Sequence, residues 1–301
     1  MTTVKRFLTV GIVALLLSVA GCGSDDGGGG GPTQLGLVAA EGLFVAVGDG
    51  GGIYVSATGA NWGAQPSGVG SALRAVTAGN GLFVAVGDGG VILRSDDATA
   101  WSSAASPTTT SLRGVAFGGG RFVAVGDFGE IVTSVDALAW APIASGTSSD
   151  LIAATYGNGL FVAVGNGGVV VSSPDGTTWS VGTSAVTADL LAITHGNGVY
   201  LAVGINGAAM RSTDGATWQD VSILSVPDII GITNAQGIFL LVGNGGSIYT
   251  SPDGLQFFEG FSNTTNGLFA AAYEPNVFVI VGANGQVLQS FDAATWIGSG
   301  I

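Results

Sequence analysis

An all-β fold, a seven-bladed β-propeller of four-stranded antiparallel blades, is predicted by three observations in this 301-residue sequence. The string FVAVG begins at Phe44, Phe83, Phe122 and Phe161, then returns as YLAVG at Tyr200, FLLVG at Phe239 and FVIVG at Phe278, a constant step of 39 residues. A second marker keeps the same step at Trp62, Trp101, Trp140, Trp179, Trp218, Phe257 and Trp296, and it accounts for every Trp in the chain. Between these markers, apolar runs of strand length alternate with turn signals, and no 3.6-residue period lasts long enough for a helix.

The four strands follow in order within residues 189–220. Leu190–Ile193 is a first apolar run, closed by a Gly-Asn-Gly turn, and Val199–Val203 is the second. An Asn-Gly turn leads to a third run ending at Ser212, and a Thr-Asp-Gly turn leads to a fourth from Thr217. Asn-Gly and Asp-Gly supply the positive φ that a two-residue hairpin turn needs. Each unit therefore closes on itself as a meander. This disfavours a solenoid, whose coils need longer crossovers. With no strand signal before Pro32 and the sequence stopping in strand 4 of blade 7, the ring is expected to close without exchanging a strand between first and last blades. The propeller is assigned to residues 33–301.

Residues 1–21 read as a signal peptide: Lys5 and Arg6 precede an apolar run from Phe7 to Ala20. The run ends in Val19-Ala20-Gly21-Cys22, which resembles a bacterial lipobox. That resemblance implies cleavage before Cys22 and lipid attachment to it. Cys22 is the single cysteine, so an intrachain disulfide is excluded. Residues 22–32 are a Gly-rich tether. The expected location is the bacterial cell envelope, with the membrane reached through the N-terminal lipid. Gly23 directly after the Cys leaves outer-membrane sorting open and inner-membrane retention not excluded.

The turn before the Trp carries a motif. It reads Ser-Pro-Asp-Gly-Thr-Thr-Trp from Ser173 and Ser-Thr-Asp-Gly-Ala-Thr-Trp from Ser212, with Asp97, Asp136, Asp175, Asp214, Asp253 and Asp292 at the acidic position. Blades 2 and 3 lose the Gly, and blade 1 keeps only Ser56 and Trp62. The pattern resembles the Asp-box, or BNR, repeat of sialidases and of photosystem II assembly-factor-like propellers. The resemblance implies that these Asp residues are structural and lie on the face opposite the usual ligand face. A short carboxylate accepts turn amides, Gly supplies positive φ, and Trp buries area between blades.

Composition excludes several functions. The formal charge is −13 with seven basic residues, so there is no basic footprint for a nucleic acid. His195 is the single histidine, and it stands where other blades have Phe117, Tyr156 and Tyr273, which is neither a zinc site nor a catalytic triad. No catalytic residue, cofactor or metal is assigned.

The sharpest candidate ligand site lies in blades 2 and 3. Arg74 and Arg113 share one position of strand 1, where other blades have Leu35, Ile152, Leu191, Ile230 and Phe269. The strand 2-to-3 turns on the same face carry Asp49, Asp88 and Asp127, with Glu130 following in blade 3. Three arrangements are open: a polar or anionic ligand on the arginines, a cation on the aspartates, or Arg–Asp pairing on a solvated surface. The strand 4-to-1 loops vary most, from Ser/Thr-rich at 102–111 to apolar at 221–226. Variable loops on a repeated scaffold carry recognition. The reading is a non-enzymatic, monomeric binding or assembly module for an envelope protein or an extracellular polysaccharide. A carbohydrate-active enzyme and a structural or adhesive surface protein stand as alternatives.

Overall fold

The computed structural model describes residues 35–300 apart from Pro275, so the expected signal peptide, the expected tether and Cys22 lie outside the described residues. Seven antiparallel sheets each contain four consecutive strands paired in order. The blades cover residues 35–65, 73–103, 112–144, 151–181, 190–220, 229–260 and 268–300. Each sheet uses only its own four strands, including the first and last, so the ring closes as expected without a shared strand.

Three turn types recur. The strand 1-to-2 turn is a two-residue hairpin with positive φ at both positions, as at Asn80 and Gly81 (52° and 71°). The strand 2-to-3 turn differs from the expected Asn-Gly hairpin. It is a three-residue 3-10 turn, for example Ile205–Gly207, with Asn206 at φ 53° and Gly207 at 71°. The reason is contact. The third residue is always Gly, and in blades 1 to 6 it presses on the strand 4-to-1 loop; a Cβ at Gly168 would lie 2.2 Å from the Val186 carbonyl oxygen. The third turn holds the Ser-x-Asp motif and runs longer than the sequence indicates. In blade 5 the Thr217 amide donates to Asp214 Oδ1 at 2.7 Å, so strand 4 begins only at Gln219.

Packing follows the blade plan. Strand 2 is buried on both faces, which is why FVAVG is a continuous apolar run rather than an alternating one: Phe44, Val45, Ala46 and Val47 are all fully buried. The apolar core divides into seven clusters, each joining two adjacent blades. The seam between blades 7 and 1 is of the same kind, with Leu37, Phe44 and Ala46 packed on Val277, Val279 and Val287. Polar ties supplement it: the Gln289 side-chain amide donates to the Thr58 carbonyl at 2.7 Å, and the Gly42 amide donates to Glu274 at 3.2 Å. The Trp markers pack at these seams and against the strand 2 aromatic of their own blade, as Trp179 does on Phe161 at 6.4 Å between ring centres. One strand 1 position is always small (Gly36, Ala75, Gly114, Ala153, Ala192, Gly231 and Ala270). There the inner strands approach closely, and a Cβ on Gly114 would lie 2.9 Å from the Ile152 carbonyl oxygen.

Candidate functional site

The antiparallel meander puts the strand 2-to-3 turns and strand 4-to-1 loops at one end of the ring and the other two turn types at the opposite end. Arg74 and Arg113 lie at the first end. Each occupies an extra residue where the pairing of strands 1 and 2 slips, because Leu73 pairs with Gly87 while Ala75 pairs with Val86. Blade 3 repeats this around Arg113. Such a slip re-aims a side chain out of the regular alternation.

The re-aimed guanidinium meets the turn of its own blade. Arg74 donates from Nε to Asp88 Oδ1 at 2.8 Å and from Nη2 to Oδ2 at 2.6 Å. Arg113 makes the same fork with Asp127, at 2.8 and 3.1 Å. Asp49 of blade 1 stands 3.9 Å from Arg74 Nη1, so the first pair extends across a seam. The hydrogen bond from Arg74 lowers the pKa of Asp88, and the charges of Arg74 and then Arg113 lower it further. The pairs are partly exposed, and each contributes about 1 kcal/mol or less to stability. Their stronger effect is geometric, since a bidentate fork fixes both side chains.

Of the three arrangements open to these residues, the pairing of Arg with Asp is the one present. Among the described residues, no three acidic, His or Cys side chains group as a metal site. Asp49, Asp88 and Asp127 sit one per blade, and all three lie against arginines. Glu130 stands apart from the pairs. It opens strand 3 of blade 3 and lines a hollow beside the following loop.

Blades 3 to 6 add a second acidic series that the sequence reading missed. Asp150, Asp189 and Asp228 precede strand 1 in blades 4, 5 and 6. Each accepts the turn amide of the preceding blade: Phe128 N at 2.7 Å, Gly167 N at 2.7 Å and Asn206 N at 2.8 Å. Asn166 and Asn244 donate side-chain amides to Asp150 and Asp228 at 3.1 Å. Their 39-residue spacing was the available signal. The face therefore carries six aspartates against two arginines and has an acidic balance. Phe128 was also overlooked. It is 77% exposed at the second turn position, where the other blades have only Gly or Asn.

The opposite face holds the Ser-x-Asp turns. Asp97, Asp136, Asp175, Asp214, Asp253 and Asp292 each accept two backbone amides at 2.7–3.2 Å. Those bonds hold every one of the six below the usual carboxylate range, with Asp214 and Asp292 at about 2. Blades lacking the Gly place an Ala in the left-handed region instead, with Ala98 at φ 62°, Ala137 at 58° and Ala293 at 58°. Arg94, Arg121 and Arg211 belong to this end: Arg211 donates to the Asp253 carbonyl at 2.8 Å, Arg94 pairs with Asp96, and Arg121 lies against Gly176. The five arginines among the described residues are thus split between two faces.

The family model described as DUF6242 beta propeller domain matches residues 70–191. No curated protein matches the sequence. Among solved structures, YCF48 from Cyanidioschyzon merolae is similar with a TM-score of 0.61 and 16% identity, covering 76% of this chain and 85% of that one. A structure titled YCF48 bound to D1 peptide gives 0.60 and 18%, covering 73% and 77%. The computationally designed Ika8 protein gives 0.67 and 14%, covering 95% and 90%. These likenesses show the β-propeller fold.

Proposed function

We propose that this chain is a non-enzymatic binding or assembly module of the bacterial cell envelope, held to a membrane by lipid on Cys22. Its partner would be a protein segment taken by the face of the strand 2-to-3 turns and strand 4-to-1 loops. The observation that carries this reading is the construction of that face. Arg74–Asp88 and Arg113–Asp127 are fixed as bidentate pairs on slips of the inner strands, where a rigid sheet presents them among loops of differing sequence. A propeller of similar fold has been solved bound to a peptide, which supports a peptide-binding use of the scaffold.

The test is affinity capture from gently solubilised native membranes with wild-type protein and the Arg74→Ala/Arg113→Ala variant side by side. A near-stoichiometric protein partner lost in the variant is the expected result. Absence of a protein partner with either bait would overturn the reading and move glycan-binding and hydrolysis assays forward. The anchor is tested separately by metabolic labelling with radioactive palmitate, which Cys22→Ser should abolish.

A further inference from the structure

We infer that the blade 3 end of this face is a docking site for a peptide segment carrying an apolar side chain next to a lysine or arginine. This rests on the protein-binding reading above and names the place and chemistry of the contact. Phe128 has a φ of 58°, in the left-handed region, where a Cβ-bearing residue without the short polar side chain of Asn or Asp is held at a cost of about 1–2 kcal/mol. The other six blades relieve that cost with Gly50, Gly89, Gly167, Asn206, Gly245 and Asn284. Phe128 gains little burial in return, because the residue is 77% exposed. A large apolar side chain that is both strained and exposed is poorly explained by the needs of the fold, and such outliers cluster at binding sites.

The ring is also presented rigidly. The Phe128 amide donates to Asp150 Oδ1 of the next blade at 2.7 Å, and the following Gly129 is pressed onto the loop so closely that a Cβ would lie 2.2 Å from the Thr147 carbonyl oxygen. Beside the turn is an open hollow lined by Phe128, Glu130, Pro142, Ile143 and Thr147. Glu130 is likewise peculiar to this blade, since its slot holds Gly52, Val91, Val169, Ala208, Ser247 and Gln286 elsewhere. An exposed aromatic and a carboxylate therefore occur together in one blade, two residues apart, at slots where the other six blades have neither.

Charge selects the occupant. The carboxylates of this face outnumber its two arginines, and both arginines are already engaged by aspartates. An acidic polysaccharide would be repelled, whereas a peptide can bring a cation to Glu130 and an apolar side chain to Phe128 and Ile143.

Random peptides displayed on phage would be selected on the full chain in detergent micelles. Synthetic copies of enriched sequences would then be measured by fluorescence anisotropy against wild type, Phe128→Gly and Glu130→Gln. The expected sequences pair an apolar residue with Lys or Arg. Phe128→Gly should weaken them by about tenfold or more while raising the thermal midpoint. Glu130→Gln should weaken them several-fold and flatten the salt dependence. Peptides that bind Phe128→Gly as tightly as wild type would overturn this placement and leave the protein-binding reading standing. Enriched sequences lacking basic residues would overturn the stated chemistry. A Phe128→Gly protein less stable than wild type would show that the ring serves the fold and would also overturn the inference. Enrichment of no peptide by any bait would overturn both this inference and the broader reading.

Discussion

The imidazole of His195 in blade 5 packs directly on Gly157 of blade 4: a Cβ on that glycine would lie 2.1 Å from His195 Cγ. The same relation joins Phe117 to Gly79, Tyr156 to Gly118 and Asn234 to Gly196. The next-to-last residue of strand 1 in one blade thus covers the side-chain-free final residue of strand 1 in the preceding blade. Between His195 and the Tyr200 ring the centres are 4.6 Å apart, as they are between Tyr156 and Phe161. His195 fills an aromatic slot.

His195→Phe is accordingly expected to stabilise the protein. His195 Nε2 is buried with no hydrogen-bond partner among the described residues, which costs about 1 kcal/mol or more. Burial also pushes the His195 pKa down, so the folded protein holds the ring neutral. In the unfolded chain the ring takes up a proton near pH 6.5. A lowered folded pKa means the associated stability is complete above about pH 6.5 and is lost as pH falls toward the folded value. Thermal unfolding from pH 8 to pH 5 should show a decline in wild type over that range. The decline should shrink in His195→Phe.

Gly165→Ala should be among the most damaging single-methyl additions. The new Cβ would stand 1.9 Å from the Asp150 carbonyl oxygen, a backbone atom with no room to retreat. A loss of about 3 kcal/mol is expected from such overpacking. Soluble yield and a urea melt would measure it.

Ala137→Gly should act in the opposite direction. Ala137 is fully buried with a φ of 58°. Relief of about 1–2 kcal/mol of backbone strain exceeds the loss of one buried methyl, about 0.8 kcal/mol, so a small net gain is expected. A rise in thermal midpoint is the readout, and a fall would mean that the methyl contact dominates.

Acid should unfold the ring through its Ser-x-Asp turns. All six aspartates have folded pKa values below that of an unfolded Asp, near 3.9, because turn amides bond to the charged form. Their contribution is complete above about pH 4 and disappears as pH falls through the folded values. Urea melts from pH 5 to pH 2 should lose stability chiefly between about 4 and 2. Asp214→Asn keeps an oxygen for the amides of Ala216 and Thr217 but cannot titrate, so its acid dependence should be shallower.

A double-mutant cycle on Arg74→Ala and Asp88→Asn should return a coupling of about 1 kcal/mol. The pair is only partly exposed and bidentate, so the coupling should persist at 0.5 M salt in reduced form. A value indistinguishable from zero at low salt would show that the fork positions nothing.

The fold was legible because its signals repeat. A lone FVAVG run is ambiguous between strand and buried helix, but seven copies at one spacing with Gly-containing turns admit a single architecture. The Arg–Asp pairs were half legible: Arg74 and Asp88 were placed on one face, but the one-residue slip that aims the guanidinium is a backbone property with no residue signature. Asp150, Asp189 and Asp228 share the repeat period yet border variable loops, which hid them. Phe128 was hidden differently. Only knowing that its slot demands positive φ makes a phenylalanine there conspicuous.

Because each sheet is built from four neighbouring strands, the seam between blades 7 and 1 is held by apolar packing of the same kind as the other six, with no covalent loop across it among the described residues. The position of the chain ends is then topologically free. Joining the present ends of the propeller and cutting any strand 4-to-1 loop would give a circular permutant with the same sheets. Whole 39-residue units could likewise be gained or lost by recombination without interrupting a sheet, leaving only ring curvature to limit their number.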